Sequence, residues 1–327
     1  FFMIRRPPIS TLSSSSAASD VYKRQISHSV KYSIVAIGVS GQQHGFVALD
    51  AHDKPLDPVK LWCDTATQAE ADEITDNFGG PERLIERIGN PILTGYTAPK
   101  IVWLRKNNPL AYRRLAHILL PHDYLNFVLT GKKVMECGDA SGTGMLNVRK
   151  KEWSTEVLYA MDSERDLIAC LPQLVVPDQF IGVTTSEAAE AYDIPCGVPV
   201  SCGGGDNMMG AIGTGNIADG TITASFGTSG TLYGCAEKPI IDPNGEIAAF
   251  CDSTDRWLPL VCTMNVTVVT EQVRGWFGWD HAELEKQVSS VPAGSHIYSC
   301  PSGDRHLPSD QGFSPFIDPR DLRACLA

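Results

Sequence analysis

The chain lacks several features that mark whole classes of protein. Its ten cysteines form neither a C-x-x-C pair nor a Cys/His cluster, which argues against zinc and a disulfide framework and predicts a reducing cytoplasm. The longest basic run is residues 149–151 and the formal net charge is −11, so neither nucleic acid nor a membrane surface is an expected partner. No apolar run approaches the ~18 residues of a membrane span. Without a Walker loop or a G-x-G-x-x-G motif, an unrelated α/β nucleotide-binding protein is disfavoured.

What is present is typical of a soluble α/β protein. The 327 residues suit about two domains of about 150 residues, and 43% of them are hydrophobic. Predicted strands and helices interleave without a repeating period, which indicates the α/β class. Strands are predicted at 33–40, 46–50, 59–62, 118–120, 198–202, 221–226 and 231–235, and helices at 65–78, 97–107, 124–130 (capped by Asp123), 153–161, 186–192, 207–213, 266–277 and 282–288.

The two ends of the chain differ from the part between them. Residues 1–25 contain prolines, arginines and a serine tract but neither a periodic apolar face nor the apolar segment of a signal peptide. We therefore expect a non-native or disordered leader there. After residue 292 the pattern decays again into prolines and serines, and we expect the chain to be a fragment of a longer protein.

A short apolar run ends in three glycines, an aspartate and an asparagine. Residues 198–202 are predicted as a buried strand, and the glycines at 203–205 let another backbone or a ligand approach closely. Asp206 follows at the carboxyl end of that strand, where open α/β sheets place their chemistry. Two interpretations stay open here: Asp206 is catalytic, or it is only the N-cap of the next helix.

A second glycine-bounded loop connects the predicted strands at 221–226 and 231–235. The loop consists of Gly227, Thr228, Ser229 and Gly230. Its backbone N–H groups and two hydroxyls can bind phosphate oxygens, although an ordinary hairpin has the same pattern. A candidate base and a candidate phosphate loop one strand apart favour phosphoryl transfer, which needs both and little other chemistry from the protein.

His44 lies in a glycine-flanked turn, residues 41–45, directly after the predicted strand at 33–40. A side chain in that position can contact a ligand. A single histidine in a loop is nevertheless more often a packing or surface residue, so both interpretations stay open on the residue pattern alone.

Taken in order, the segments resemble the FGGY family of carbohydrate kinases. They are G-Q-Q-H-G at 41–45, L-W-C-D at 61–64, the stretch 95–107 with Thr97, Lys100, Trp103 and Leu104, L-P-H-D-Y-L at 120–125, D-A-S-G-T at 139–143, G-G-G-D-N at 203–207 and G-T-S-G at 227–230. The likeness extends over about residues 34–290 and is greatest to the members that phosphorylate D-xylulose.

The resemblance implies a ribonuclease H-like fold related to actin and hexokinase, with two domains around a cleft. Residues 26–219 correspond to a nearly complete N-terminal sugar-binding domain and residues 220–327 to the beginning of a truncated ATP-binding domain. The implied reaction transfers the γ-phosphoryl group of MgATP to a sugar hydroxyl, most closely converting D-xylulose to D-xylulose 5-phosphate. The implied partners are the sugar and ATP, and a homodimer is compatible with the family.

The resemblance also assigns roles to individual residues. Asp206 is implied as the general base, Gln43, His44 and Asn207 as sugar contacts, and Gly227, Thr228, Ser229 and Gly230 as contacts to the ATP phosphates, while no metal ligand is assigned. An ordinary aspartate pKa of about 4 is expected to suffice for Asp206, because the proton is accepted late in phosphoryl transfer.

Two family elements have no counterpart in this sequence: the Asp-x-Gly-Thr turn near the start and most of the C-terminal domain with its glycine-rich adenosine loop. Two alternatives to a D-xylulose kinase therefore stay open. One is a non-catalytic sugar-binding fragment or pseudokinase. The other is a kinase of another sugar, such as ribulose or gluconate.

Overall fold

The computed structural model describes residues 28–227, 230–263 and 266–290. The chain divides into two compact units, one formed by Phe1–Thr221 with Gly234–Pro259 and the other by Ile222–Tyr233 with Leu260–Ala327. Residues 234–259, which the sequence assigns to the ATP-binding domain, thus belong to the first unit. The predicted leader at 1–25 lies outside the described residues and stays a prediction.

Helices and strands are interspersed along the described chain, as is typical of the α/β class. The helices are α1 (His28–Lys31), α2 (Gln68–Phe78), α3 (Pro81–Ile88), α4 (Thr97–Asn107), α5 (Pro109–Arg114), α6 (Pro121–Thr130), α7 (Cys137–Ser141), α8 (Thr155–Met161), α9 (Ser186–Tyr192), α10 (Asp206–Gly213), α11 (Thr267–Phe277) and α12 (His281–Ser289), with a 3₁₀ turn at Ile168–Cys170. The strands are β1 (Ser40–Gly41), β2 (Val47–Leu49), β3 (His117–Leu119), β4 (Val134–Glu136), β5 (Leu146–Asn147), β6 (Glu152–Trp153), β7 (Gln173–Val175), β8 (Phe180–Val183), β9 (Pro199–Ser201), β10 (Gly204–Gly205), β11 (Ile222–Phe226), β12 (Gly230–Gly234), β13 (Ala248–Cys251) and β14 (Trp257–Thr263). None of the described helices is both long and apolar enough to cross a membrane.

The largest core cluster of the first unit contains residues of α2, α4, α8, β2 and β3. Strand β2 pairs antiparallel with β3, with Val47 opposite Leu119. Helix α2 contributes Ile74 and Phe78, which lie four residues apart on one helical face. Each such side chain contributes about 1.5–3 kcal/mol when fully buried, so this core fixes α4 beneath the turn at 41–45.

A short parallel pairing places the two glycine-rich segments side by side. Strand β1 pairs with β10, with Gly41 opposite Gly205. Glycine is needed just before β10, because Gly203 has φ +66° and a β-carbon there would overlap the carbonyl oxygen of Val39. The turn at 41–45 and the first residues of α10 therefore lie next to each other at the same end of this strand pair.

The strand predicted at 33–40 is wrong for most of its length. Only β1 forms a ladder, and Ile37 makes an isolated parallel bridge to Val200. Ile37 and Val39 are buried, whereas Val35 is 84% exposed, so the apolar run does not continue as a buried strand. The strand predicted at 59–62 is likewise reduced to one bridge, between Phe46 and Lys60.

Helix α6 begins earlier than the sequence suggests. Pro121 occupies the first helical turn, where a proline needs no hydrogen-bond donor, so the predicted N-cap at Asp123 is wrong. Asp123 is the third helical residue, and its Oδ2 accepts a hydrogen bond from the N–H of Leu120 at 2.9 Å. Its carboxyl group is fully buried as a result of this position.

In the second unit, β11 lies beside β12, and β12 lies beside the part of β14 at residues 260–263. Strands β11 and β12 agree with the predicted pair to within one residue, and residues 227–229 connect them. Strand β12 pairs antiparallel with β14, with Gly230 opposite Thr263. The carbonyl oxygen of Gly227 accepts a hydrogen bond from the N–H of Thr267, which places Gly227 beside the beginning of α11.

Candidate functional site

Asp206 is the first residue of α10, and Gly205 is its N-cap. The interpretation of Asp206 as the N-cap is therefore wrong by one position. Its Oδ1 accepts a hydrogen bond from the N–H of Asn207 at 2.9 Å. A carboxylate in the first turn is favoured by the helix dipole, and the side chain remains open to solvent and to a ligand.

The carboxyl group of Asp206 holds its proton more tightly than an ordinary aspartate. The surrounding protein displaces part of its water and the nearby carboxylate of Asp139 repels it, which together raise the pKa of Asp206 from 3.8 to about 6. The pKa is thus higher than the ordinary value of about 4 that the sequence analysis expects to suffice for the role. Asp206 stays mostly ionised at pH 7 and is a stronger base than expected.

Gln43 and Asn207, two of the predicted sugar contacts, touch each other. The Nδ2 of Asn207 donates a hydrogen bond to Oε1 of Gln43 at 2.9 Å. Gln43 is only 4% exposed, and its Nε2 has no hydrogen-bond partner among the described residues. Leaving a buried donor unsatisfied is costly, and a hydroxyl oxygen of a bound sugar can satisfy it.

His44, the third predicted sugar contact, is held in an unusual backbone conformation. Its φ is +65°, in the left-handed region that few residues other than glycine adopt. The ring stacks on Tyr96 with centroids 4.9 Å apart, and Nδ1 lies 2.6 Å from the carbonyl oxygen of Gly142. Burial and the charge of Lys100 lower the pKa of His44 to about 3, so the ring is neutral at pH 7.

Lys100 lies beneath this turn and is completely buried. Its Nζ donates to the carbonyl oxygens of His44 at 2.7 Å and Gly95 at 2.8 Å. Burial lowers the pKa of Lys100 to about 7. Sequence reasoning noted this lysine in the family pattern but gave it no role; the signal that could have found it is a lysine among apolar positions of α4.

A buried group of one histidine and three carboxylates lies under the site. Nδ1 of His122 is 2.6 Å from Oδ2 of Asp139, and Nε2 is 3.1 Å from Oδ1 of Asp123. Glu136 accepts hydrogen bonds from the N–H groups of residues 138 and 139. Burial alone disfavours the imidazolium, but the surrounding carboxylates raise the pKa of His122 to about 10. Burial raises the pKa of Glu136 to about 8.

This buried group supports both segments of the site. A β-carbon on Gly41 would lie 2.8 Å from Cβ of His122, so β1 rests directly on the histidine. A β-carbon on Gly205 would lie 3.2 Å from Oδ1 of Asp139, which has no hydrogen-bond partner among the described residues. The sequence motifs at 120–125 and 139–143 thus form the floor of the site, a role that their pattern alone does not reveal.

The predicted phosphate contacts lie in the second unit. Gly227 and Gly230 flank the connection between β11 and β12, whereas Thr228 and Ser229 lie outside the described residues, so their role stays a prediction. Within the described ranges, no group of three or more histidine, cysteine, aspartate or glutamate side chains is arranged to hold a metal ion.

Comparison with known proteins gives one family match and several related sequences. The description "FGGY family of carbohydrate kinases, N-terminal domain" matches residues 13–213, a range that includes part of the predicted leader. A xylulose kinase of Haemophilus influenzae is 46% identical over 263 residues, which are 80% of this chain and 53% of that protein. The chain spans about half the length of the curated relatives it matches.

Solved structures of sugar kinases also match this chain. The xylulose kinase of Bifidobacterium adolescentis matches with a TM-score of 0.69 at 28% identity, over 79% of this chain and 58% of that one. A gluconate kinase of Lactobacillus acidophilus matches with a TM-score of 0.74 at 23% identity, over 84% of this chain and 55% of that one, which shows the fold alone. These matches confirm the predicted α/β fold of actin- and hexokinase-like ATPases.

Proposed function

Because the chain belongs to the FGGY family of carbohydrate kinases, we propose that it is the sugar-binding half of an enzyme that transfers the γ-phosphoryl group of ATP to a sugar hydroxyl. The observation that carries the proposal is the contact between Asn207 and Gln43 beside Asp206. It joins polar side chains from two separate segments into one site, and it leaves a buried amide donor of Gln43 for a ligand.

In this proposal Asp206 receives the proton of the attacking hydroxyl. Phosphoryl transfer requires little covalent chemistry from the protein, so positioning the hydroxyl and accepting its proton are the main tasks of this half. An aspartate with a pKa near 6 is ionised at pH 7 and binds the proton more strongly than an ordinary carboxylate. ATP supplies the phosphoryl group, and Mg²⁺ is included with it, although no residue of this chain is assigned to the metal.

D-xylulose is the sugar that the comparisons support best, since the relative that is 46% identical is a xylulose kinase. Kinases of other sugars, such as ribulose or gluconate, stay as alternatives. Sugar binding without turnover is the second candidate function, because Gln43, His44, Asp206 and Asn207 all belong to one compact unit. A cytoplasmic location and a homodimer remain expectations attached to this proposal.

Calorimetry with D-xylulose on the full chain tests the proposal. We expect saturable binding that weakens about fivefold or more in Gln43→Ala, the factor for losing about 1 kcal/mol of hydrogen bonding. Gln68→Ala is the matched control, because Gln68 lies at the exposed beginning of α2 and its amide donates to Asp72 on the same helix. Absence of binding, or equal binding by the Gln43 variant, would contradict the proposed site.

A coupled ADP-release assay on the same preparation separates binding from turnover. We expect negligible turnover, because the chain spans about half the length of its relatives. Turnover of roughly 1–10³ s⁻¹, ordinary for an enzyme, would instead show that this chain suffices for the complete reaction.

A further inference from the structure

The geometry of the His44 ring determines what its two nitrogens can do. Nδ1 lies 2.6 Å from the carbonyl oxygen of Gly142, and a carbonyl oxygen can only accept, so Nδ1 carries the proton. In a neutral ring Nε2 is then a bare acceptor. Among the described residues Nε2 makes no hydrogen bond. His44 therefore has an acceptor left for a ligand.

The backbone of His44 needs support to hold the ring there. Its left-handed conformation costs free energy that a relaxed turn would not. Two donors from α4 meet its carbonyl oxygen: Nζ of Lys100 at 2.7 Å and Oγ1 of Thr97 at 3.2 Å. Because Lys100 is completely buried, its ammonium group has no freedom to move away from this carbonyl. The lysine thus fixes both the turn and the direction of the ring.

The charge of Lys100 also acts on His44, because it disfavours protonation of the ring. The pKa of Lys100 is about 7, so the lysine becomes fully charged as the pH falls through the range in which an ordinary histidine would be protonated. A cation below the ring opposes that protonation. The titratable groups facing Lys100 are Asp64 and Cys63, which favour its charge, and Lys60, which disfavours it.

We propose that Lys100 is a positioning residue that holds the backbone of His44 so that the ring presents Nε2 as a hydrogen-bond acceptor, and that the group of the ligand facing Nε2 is therefore a hydrogen-bond donor such as a sugar hydroxyl. This inference rests on the proposed sugar-binding function and adds a chemical requirement to it. We assign Lys100 no contact with the ligand, because its Nζ donates to the carbonyl oxygens of His44 and Gly95.

Long-range ¹⁵N–¹H NMR of the labelled full chain tests the state of His44 without any sugar. We expect a protonated Nδ1 and an unprotonated Nε2 in His44 from pH 5 to 8, with the signals assigned by their loss in His44→Ala. In Lys100→Met the pKa of His44 should rise above about 3, because the cation is removed, while burial, the larger cause, still holds it below 6.5. Lys106→Met is the matched control, because Lys106 lies on the same helix, is 39% exposed and pairs with Glu73.

Calorimetry with D-xylulose tests the consequence for binding. We expect Lys100→Met to weaken binding about fivefold or more at pH 7, because the carbonyl oxygen of His44 loses a donor that holds the turn. Any further weakening at lower pH should follow the fraction of imidazolium that the NMR titration measures, because an imidazolium cannot accept a hydroxyl proton. If circular dichroism shows that Lys100→Met does not fold, Lys100→Gln, which keeps a donor without the charge, and Thr97→Val are measured in its place.

Distinct results would overturn the inference and the proposed function. A proton on Nε2, or an unchanged His44 titration and unchanged binding in every Lys100 variant, would overturn the inference even if D-xylulose binds. Absence of D-xylulose binding by the wild-type chain would overturn the hydroxyl requirement together with the proposed sugar site. The expected tautomer, followed by weaker and pH-dependent binding in the lysine variants, would support it.

Discussion

Replacing His122 with phenylalanine should destabilise the first unit strongly. His122 and both carboxylates at its nitrogens are at most 1% exposed, with separations of 2.6 and 3.1 Å. Removing one partner of such a buried pair leaves uncompensated charge and costs about 3–5 kcal/mol. Phenylalanine fills the volume of the imidazole, so the cost reflects charge and not a cavity. The loss should grow as the pH rises, because the remaining carboxylates then have to bind protons to stay buried.

Urea-induced unfolding followed by circular dichroism measures this loss in the free energy of unfolding. The matched control is Glu156→Gln, which removes one partner of the exposed ion pair with Arg87, whose side chains are 53% and 44% exposed. That variant should unfold like the wild type, because both charges remain hydrated. If His122→Phe lost less than about 1 kcal/mol at pH 8, the buried pair would not be the support that the distances indicate.

Three further predictions concern the same site. The wild-type chain should lose stability as the pH rises from 6.5 to 10. The folded state raises the pKa of His122 to about 10 and that of Glu136 to about 8, so the rising pH removes protons that the folded state binds more tightly than the unfolded chain. Stability that increased over this range in urea unfolding would contradict these raised pKa values. Gly142→Ala should cost about 1–3 kcal/mol and weaken D-xylulose binding, since the new β-carbon would lie 2.6 Å from Nδ1 of His44; unchanged calorimetry and unfolding would show that the ring has room to move. In a full-length protein carrying this chain, Asp206→Asn should lower kcat by about 10²–10⁴ with little change in the KM for the sugar, and a near-normal kcat would remove Asp206 from the base role.

Local features of the fold could be predicted from the sequence because they depend on nearby residues. Helix α9 has the bounds that its pattern predicts, with Thr185 as its N-cap, and β11 and β12 lie within one residue of expectation. The prediction of a strand at 33–40 was wrong for most of its length, because the pairing of this segment depends on Val200, which is far along the chain. Local periodicity carries no information about such a partner.

The site shows the same division between local and tertiary information. Asp206, Gln43 and Asn207 could be proposed from motifs, and the structure brings the two amide side chains into contact. The part that motifs could not supply is the support: Lys100 under His44 and the charged group under β1. Those contacts join residues 56 and 17 positions apart. The raised pKa of Asp206, caused by burial and by the charge of Asp139, is also set by tertiary structure.

A crystal structure of the chain grown with D-xylulose tests the central claim most directly. The account predicts the sugar against Nε2 of Gln43 and Nε2 of His44, with one hydroxyl at hydrogen-bond distance from the carboxylate of Asp206. A sugar bound elsewhere, or bound here with its hydroxyls turned away from Asp206, would contradict the proposed site and the proposed base.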